Sequence, residues 1–316
     1  MLHINVIIAG VQMTFWTSYD DDIDCLKDML PYHINQHVVA ENFHDIIITS
    51  SKGAVEIPEE STIVWKGVAN NDSPVSWYNS PTGKECYITI GNDIVIRHLL
   101  ERKLTICNLI ISEGKTSCPE IPRLTCCIFI LLQSILSIHG KYCLHSSCVS
   151  KDGYTYLFLG KSGEGKSTIS YIMAKNGYEF MGDDLVFISK NKDDDIIIDA
   201  LLIKPKLQNM ELGRKEAIDI IKKHHLKYSH RGKLGAIIKL QRTFETDHSS
   251  IKMANGTDTF TNLINSGNNI KILHDPCLWL DICEKSTKAP SFSLYFAEKK
   301  FFNPQILHNI IKSNIM

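Results

Sequence analysis

A chain of 316 residues is long enough for one large core or two modest ones, and single cores stop growing not far below this length, so two lobes are expected. Its 34 basic and 35 acidic side chains almost cancel, which excludes attraction to nucleic acid or an anionic membrane through overall charge, and any partner has to be recognised locally. The ten cysteines include no pair spaced C-x-x-C as zinc would need, and several sit in apolar runs where a free thiol packs like a small hydrophobe, so a reducing cytoplasm fits best.

Along the chain, the apolar start from Ile4 to Val11 reads as a strand, because it has neither a basic region before it nor a small-residue cleavage site after it. As far as about Pro119, short β-branched segments alternate with turn clusters such as Ser80-Pro81-Thr82-Gly83. Strands are expected over Ile4–Ala9, Asp45–Thr49, Thr62–Val68, Cys86–Ile90 and Thr105–Ile111. Residues 1–120 are therefore expected to form a smaller, largely β domain, and they carry no catalytic pattern. The apolar run from Cys126 to Ile138 is shorter than the roughly 20 residues a membrane span needs, and it contains Gln133 and two serines. A buried helix over Arg123 to Ile138 is the expectation, with no membrane segment.

Residues 121–316 are expected to form a second, α/β domain. A strand at Leu144–Ser150, the turn Lys151-Asp152-Gly153 and a strand at Tyr154–Leu159 read as a hairpin. A glycine-rich loop follows, then a helix from Lys166 to about Asn176 with Gly177 as its cap, and a short strand at Tyr178–Met181. Further strands are expected at Leu185–Ser189, Asp195–Leu202 and Leu234–Leu240, with helices near Arg214–His224 and Thr257–Asn265.

The chemistry concentrates between residues 145 and 184. Gly160-Lys161-Ser162-Gly163-Glu164-Gly165-Lys166-Ser167, followed by Thr168, satisfies the phosphate-loop pattern G-x-x-x-x-G-K-[ST] between an apolar run and a helix-capable one. Chance would supply the pattern in roughly one chain in a hundred of this length, and the strand-to-helix context lowers that further. The glycines let backbone N–H groups turn inward around phosphates, the helix start adds positive character, Lys166 adds a point charge and Ser167 a hydroxyl for magnesium. Asp183 and Asp184 come only seventeen positions after Lys166, enough for one helix and a return strand, which brings both carboxylates back to the phosphate side. One would hold magnesium and the other accept a proton, in an order that the sequence leaves open. If Lys151-Asp152-Gly153 closes the hairpin and Ser150 faces Tyr154, then His145 faces Leu159 at the mouth of the loop, where it could orient an aspartate or stabilise a transferring phosphoryl group.

The run Leu144-His145-Ser146-Ser147-Cys148-Val149, then Gly160 to Thr168, then Gly182-Asp183-Asp184, resembles the catalytic core of the HPr kinase/phosphorylase superfamily in order and spacing. Within that superfamily it is more similar to the HPr-kinase-like proteins of peptide-modification clusters, including lasso-peptide precursor kinases. The close likeness covers roughly Leu144 to Ile188. The resemblance implies a core related to phosphoenolpyruvate carboxykinase, ATP and magnesium as cofactors, a serine hydroxyl of a peptide or small protein as acceptor, and a homo-oligomer. It places the catalytic histidine on His145, the loop lysine on Lys166, the magnesium-side hydroxyl on Ser167 and the paired aspartates on Asp183 and Asp184. Two departures stand out. The loop ends Lys-Ser-Thr where HPr kinases usually have Lys-Ser-Glu, and no Glu-x-Arg-Gly-x-Gly segment follows the aspartates, which implies a kinase without the reverse reaction. Candidate cations for later steps are Arg214, Arg231, Lys233 and Arg242, with Arg231 preferred. A small-molecule kinase on the same scaffold, a non-catalytic nucleotide-dependent regulator, and GTP in place of ATP all remain open.

Overall fold

The computed structural model describes residues 1–34, 39–51, 56–68, 73–110, 123–202, 206–209, 214–217, 219–243, 250–267, 274–297, 309 and 313. It is a mixed α/β structure with large sheets and few helices, divided by contacts into two units. The first comprises Met1–His139 with Asn269–Asp275, and the second Gly140–Asn268 with Pro276–Met316. The division thus falls after His139 and not near residue 120, because the apolar helix at 123–138 packs with the first unit.

The first unit is built on strands β1 (Leu2–Ile8), β2 (Val11–Thr17), β3 (Asn42–Ser51), β4 (Thr62–Val68), β5 (Pro74–Asn79), β6 (Glu85–Ile90), β7 (Ile94–Leu99) and β8 (Leu104–Ile110). They form one sheet in the order β1-β2-β3-β8-β7-β6-β5-β4. Alternation drives it: Val11, Met13 and Phe15 of β2 are buried while Gln12, Thr14 and Trp16 between them are partly exposed. Helix α1 (Asp20–Met29) makes the crossover that lets β2 and β3 run parallel. Helix α2 (Arg123–Ile138) is apolar on nearly every face, and the side chains described on it from Leu124 to Ser137 are almost all buried, as an all-round apolar helix must be. Among the described residues no helix is long and apolar enough to cross a membrane.

A chain of polar contacts runs through this unit's interior. His44 Nδ1 lies 3.1 Å from His139 Nε2, and the Thr105 hydroxyl is 2.7 Å from both His44 Nε2 and His98 Nδ1. Burial pushes the His44 and His98 imidazoles down to about 3, so both are neutral.

The second unit contains β9 (Tyr142–Leu144), β10 (Ser147–Lys151), β11 (Tyr154–Leu159), α3 (Lys166–Lys175), β12 (Glu179–Gly182), β13 (Val186–Lys190) and β14 (Ile196–Ala200). The small hairpin β15 (Lys206–Asn209) and β16 (Arg214–Ala217) follows, then α4 (Ile220–His224), β17 (Arg231–Thr243), β18 (Ser250–Met253), α5 (Gly256–Ser266), α6 (Pro276–Ser286) and β19 (Ser291–Ala297). The sheet order is β12-β10-β11-β17-β14-β13-β9, and β19 with β18 joins at β17. Strand β17 is long enough to branch the sheet: Arg231 to Lys233 pair with β14, and Ile237 to Thr243 pair with β19. Helix α3 packs Ile169 and Met173 against Val149, Tyr156, Phe158 and Ile238. A fully buried Met contributes about 1.5–3 kcal/mol relative to exposure.

Three expectations need correction. Residues 214–224 form a strand and a late helix, not one helix, since Arg214–Ala217 pairs with β15 and Asp219 caps α4 by accepting the Lys222 N–H at 3.1 Å. The hairpin closes on the two residues Asp152 and Gly153, whose φ values of 53° and 81° match the turn that suits twisted strands. Lys151 therefore faces Tyr154 and Ser147 faces Phe158, one residue out of the expected register. Finally, the expected strand from 144 to 150 is interrupted at His145 and Ser146, which lie between β9 and β10.

Candidate functional site

Strand direction explains why distant residues meet. Strand β10 runs antiparallel to both of its neighbours, β11 and β12, so it begins at the edge of the sheet where they end. Leu159 therefore delivers the loop at 160–165, Gly182 delivers Asp183 and Asp184, and the start of β10 delivers His145, all on one edge. Adjacent strands are about 4.8 Å apart, so three consecutive strand ends span only about 10 Å. His145 reaches this edge beyond the paired part of the hairpin. Its backbone N–H donates to Ser266 O at 2.8 Å, at the C-terminal end of α5, and Leu144 bridges to Gly267.

The loop is held by its own side chains. Gly163 and Gly165 have φ of 85° and 87°, where a side chain would be strained. The Lys166 ammonium, on a residue only 5% exposed, donates to Gly160 O at 2.9 Å and Lys161 O at 3.1 Å. Glu164 turns back so that Oε2 accepts the Lys161 N–H at 2.6 Å. That flexible carboxylate lies 2.5 Å from where a Cβ on residue 160 would stand and would have to swing aside, while the φ of 156° at Gly160 would strain any side chain there. Lys161, Ser162 and Gly163 are exposed at the loop tip, and Thr168 is exposed on α3.

Ser167 Oγ donates to Asp183 Oδ1 at 2.8 Å. Asp183 is 4% exposed, and its pKa is raised to about 6 by burial first and by Asp184 second, against the opposing pull of Ser167 and Lys166. A hydroxyl next to a carboxylate whose charge is incompletely compensated is a hard, oxygen-only donor set, which fits magnesium with most of its waters retained. Among the described residues no group of three or more His, Cys, Asp or Glu is arranged to hold a metal, so a cation here would depend on the Ser167–Asp183 pair and on phosphate oxygens.

Asp184 differs. Its side chain is 55% exposed, its φ is 68°, and Oδ1 lies 3.8 Å from His145 Nδ1, an ionic approach longer than a hydrogen bond. The imidazole of His145, 40% exposed at the side chain, has its pKa lowered by burial and then by Lys166, with Asp184 pulling the other way. His145, Lys166, Ser167, Asp183 and Asp184 are therefore brought together. Of the candidate cations, Lys233 pairs with Asp195 beside Tyr154, at the far end of β11 from the loop, and Arg231 Nε lies against Asp199 Oδ1 at 3.6 Å. Arg242 lies on β17 two residues beyond Leu240, whose carbonyl is 3.3 Å from where a Cβ on residue 160 would stand, so its backbone is at the loop end of the sheet, and the Arg214 side chain is outside the described residues.

Some partners are not legible in the chain. Ser147 and Ser170, both fully buried, have their hydroxyls 2.6 Å apart, and Ser170 Oγ is also 2.9 Å from Lys166 O. Neither belongs to the loop pattern, and the only local hint is a serine four residues after the loop lysine, on the same face of the helix.

No protein family and no curated protein matches the chain in sequence. Among solved structures, the chain is similar to the Hpr(Ser) kinase/phosphatase from Coxiella burnetii, with a TM-score of 0.35 and 13% identity over 54% of this chain and 88% of that one. That is a weak structural likeness, and the functional reading rests on the residues above.

Proposed function

We propose that the chain is a magnesium- and ATP-dependent phosphotransferase acting on a serine hydroxyl of a peptide or small protein. The observation that carries this reading is the convergence of Lys166, the Ser167–Asp183 pair and the His145–Asp184 pair on the single sheet edge where β11 and β12 end and β10 begins. The loop at 160–167 would cradle the β- and γ-phosphates through backbone N–H groups, with Lys166 swinging from Gly160 O and Lys161 O to the phosphate oxygens. Magnesium would be held by Ser167 and Asp183, and when bound it neutralises charge on the phosphates.

Buried Asp183 suits the cation side, and exposed Asp184, beside His145, suits the acceptor side. Asp184 takes the proton of the incoming hydroxyl as its oxygen bonds to the γ-phosphorus. The bond from that phosphorus to the bridging oxygen breaks, and ADP leaves with the electron pair. His145 orients Asp184, and its neutral imidazole can donate a ring N–H to the transferring group. The family resemblance of the three motifs supplies the peptide or protein acceptor and the preference for ATP.

The test is incubation with γ-labelled ATP, magnesium and a panel of serine-containing peptides, beside calorimetry of nucleotide binding. Label transfer that is lost in Asp184→Asn, with nucleotide binding retained there and lost in Lys166→Ala, is the expected result. Nucleotide binding without transfer to any hydroxyl overturns the kinase reading, and no binding at all overturns the nucleotide site.

A further inference from the structure

Among the described residues, the contact between α3 and β10 is largely apolar. Val149, Ile169, Met173 and Tyr178 pack together there, yet Ser147 and Ser170, each fully buried, meet at 2.6 Å. Each hydroxyl has one proton. Ser170 is the donor, its one proton shared between Lys166 O at 2.9 Å and the Ser147 hydroxyl oxygen at 2.6 Å. Two buried methyl groups would fill this space nearly as well, and a neutral hydrogen bond adds only about 0.5–1.5 kcal/mol net, so stability alone is a weak reason for the pair. What the pair adds is direction. Apolar contacts tolerate a small slide of a helix over a strand, whereas a hydrogen bond of this length does not.

The two ends of this bridge are close to the chemistry. Ser147 is two residues beyond His145 at the start of β10, and Ser170 is one turn below Lys166 and bonded to its carbonyl. We propose that Ser147 and Ser170 are positioning residues, which lock the strand start carrying His145 to the helix start carrying Lys166 and Ser167. This rests on the phosphotransferase reading and extends it. Two links, Ser147 to Ser170 and Ser170 to Lys166 O, hold the phosphate-facing lysine and the acceptor-facing histidine in one register. A misplacement of about 1 Å at such a site can cost on the order of 100-fold in rate.

The experiment compares wild type, Ser147→Ala, Ser170→Ala, the double variant and Val149→Ala. Magnesium-ATP affinity is measured by calorimetry, phosphate release from ATP to water by single turnover with enzyme in excess, and stability by thermal unfolding. Each serine variant should lose about tenfold in turnover with affinity within about threefold, and the double variant should be no slower than the slower single one, since either change breaks the bridge. Ser170→Ala should be the less stable single variant, because it takes the donor away from the buried Ser147 hydroxyl, whereas Ser147→Ala leaves the Ser170 proton on Lys166 O. Val149→Ala, which thins the same interface without touching the hydroxyls, should lower the thermal midpoint but leave turnover within about twofold. Serine variants with wild-type turnover, or a Val149→Ala loss as large as theirs, overturn the positioning role alone. A wild-type protein that binds no nucleotide, or binds it and transfers phosphate neither to water nor to any peptide serine, overturns the phosphotransferase reading and this inference with it.

Discussion

Replacing Asp183 by Asn should stabilise the nucleotide-free protein near neutral pH. The carboxyl is 4% exposed and its pKa is raised from 3.8 to about 6, by burial first and by Asp184 second. An acid with a raised pKa in the folded state binds more protons folded than unfolded between those two values, so its contribution favours folding below about pH 4 and is lost as pH rises through 6. The shift of about two units corresponds to about 3 kcal/mol of strain that the charged side chain imposes on the fold at pH 7. Asn keeps an oxygen for the Ser167 hydroxyl, which donates at 2.8 Å, and removes the ionisation. Urea unfolding in magnesium-free buffer from pH 4 to 8 should show the Asn variant gaining on wild type as pH rises, by up to about 3 kcal/mol at pH 7, with the gap closing toward pH 4. An Asn variant that is less stable at pH 7, or a difference that does not change with pH, refutes the argument. With magnesium and ATP added, the order should reverse, because wild type alone keeps the charge that holds the cation.

The first unit should be acid-labile through His44 and His98. Their pKa values, depressed to about 3 by burial, lie below the unfolded value, so the stability of the neutral forms is present above about pH 6.5 and lost as pH falls toward 3. His98→Gln should flatten that slope in unfolding followed by tryptophan fluorescence, which Trp16, Trp65 and Trp77 report from this unit. Glu164→Gln should tighten magnesium-ATP binding by about three- to tenfold in calorimetry, since Glu164 Oε2 takes the Lys161 N–H and places a negative charge where phosphate is proposed to sit. Met173→Ala, which empties a fully buried position under α3, should cost about 2–5 kcal/mol in urea unfolding.

Local features carried most of what could be read from residues alone. Alternating β-branched segments marked β3, β4, β6 and β8, the all-round apolar run marked α2, and glycine spacing with the return distance to Asp183 and Asp184 marked the candidate site, because each depends on neighbours within a few positions. Strands β2, β5, β7 and β19 were harder to see, since short apolar runs look alike until a partner strand selects one face. Asp152 in the turn shows the limit: three turn-forming residues in sequence do not reveal which two the twisted strands will use, and one residue of register moved His145 out of the ladder.

The sequence by itself therefore determined several of the strands, the apolar helix α2 and the glycine-rich loop with its neighbouring carboxylates, since periodicity and turn chemistry act along the chain. Only the tertiary structure decided that β10 lies between β11 and β12, that Ser266 holds the His145 backbone, that Ser147 meets Ser170, and that Arg231 turns to Asp199. Those contacts join residues far apart in the chain, and their energies exist only once the strands have paired and water has been excluded from between them.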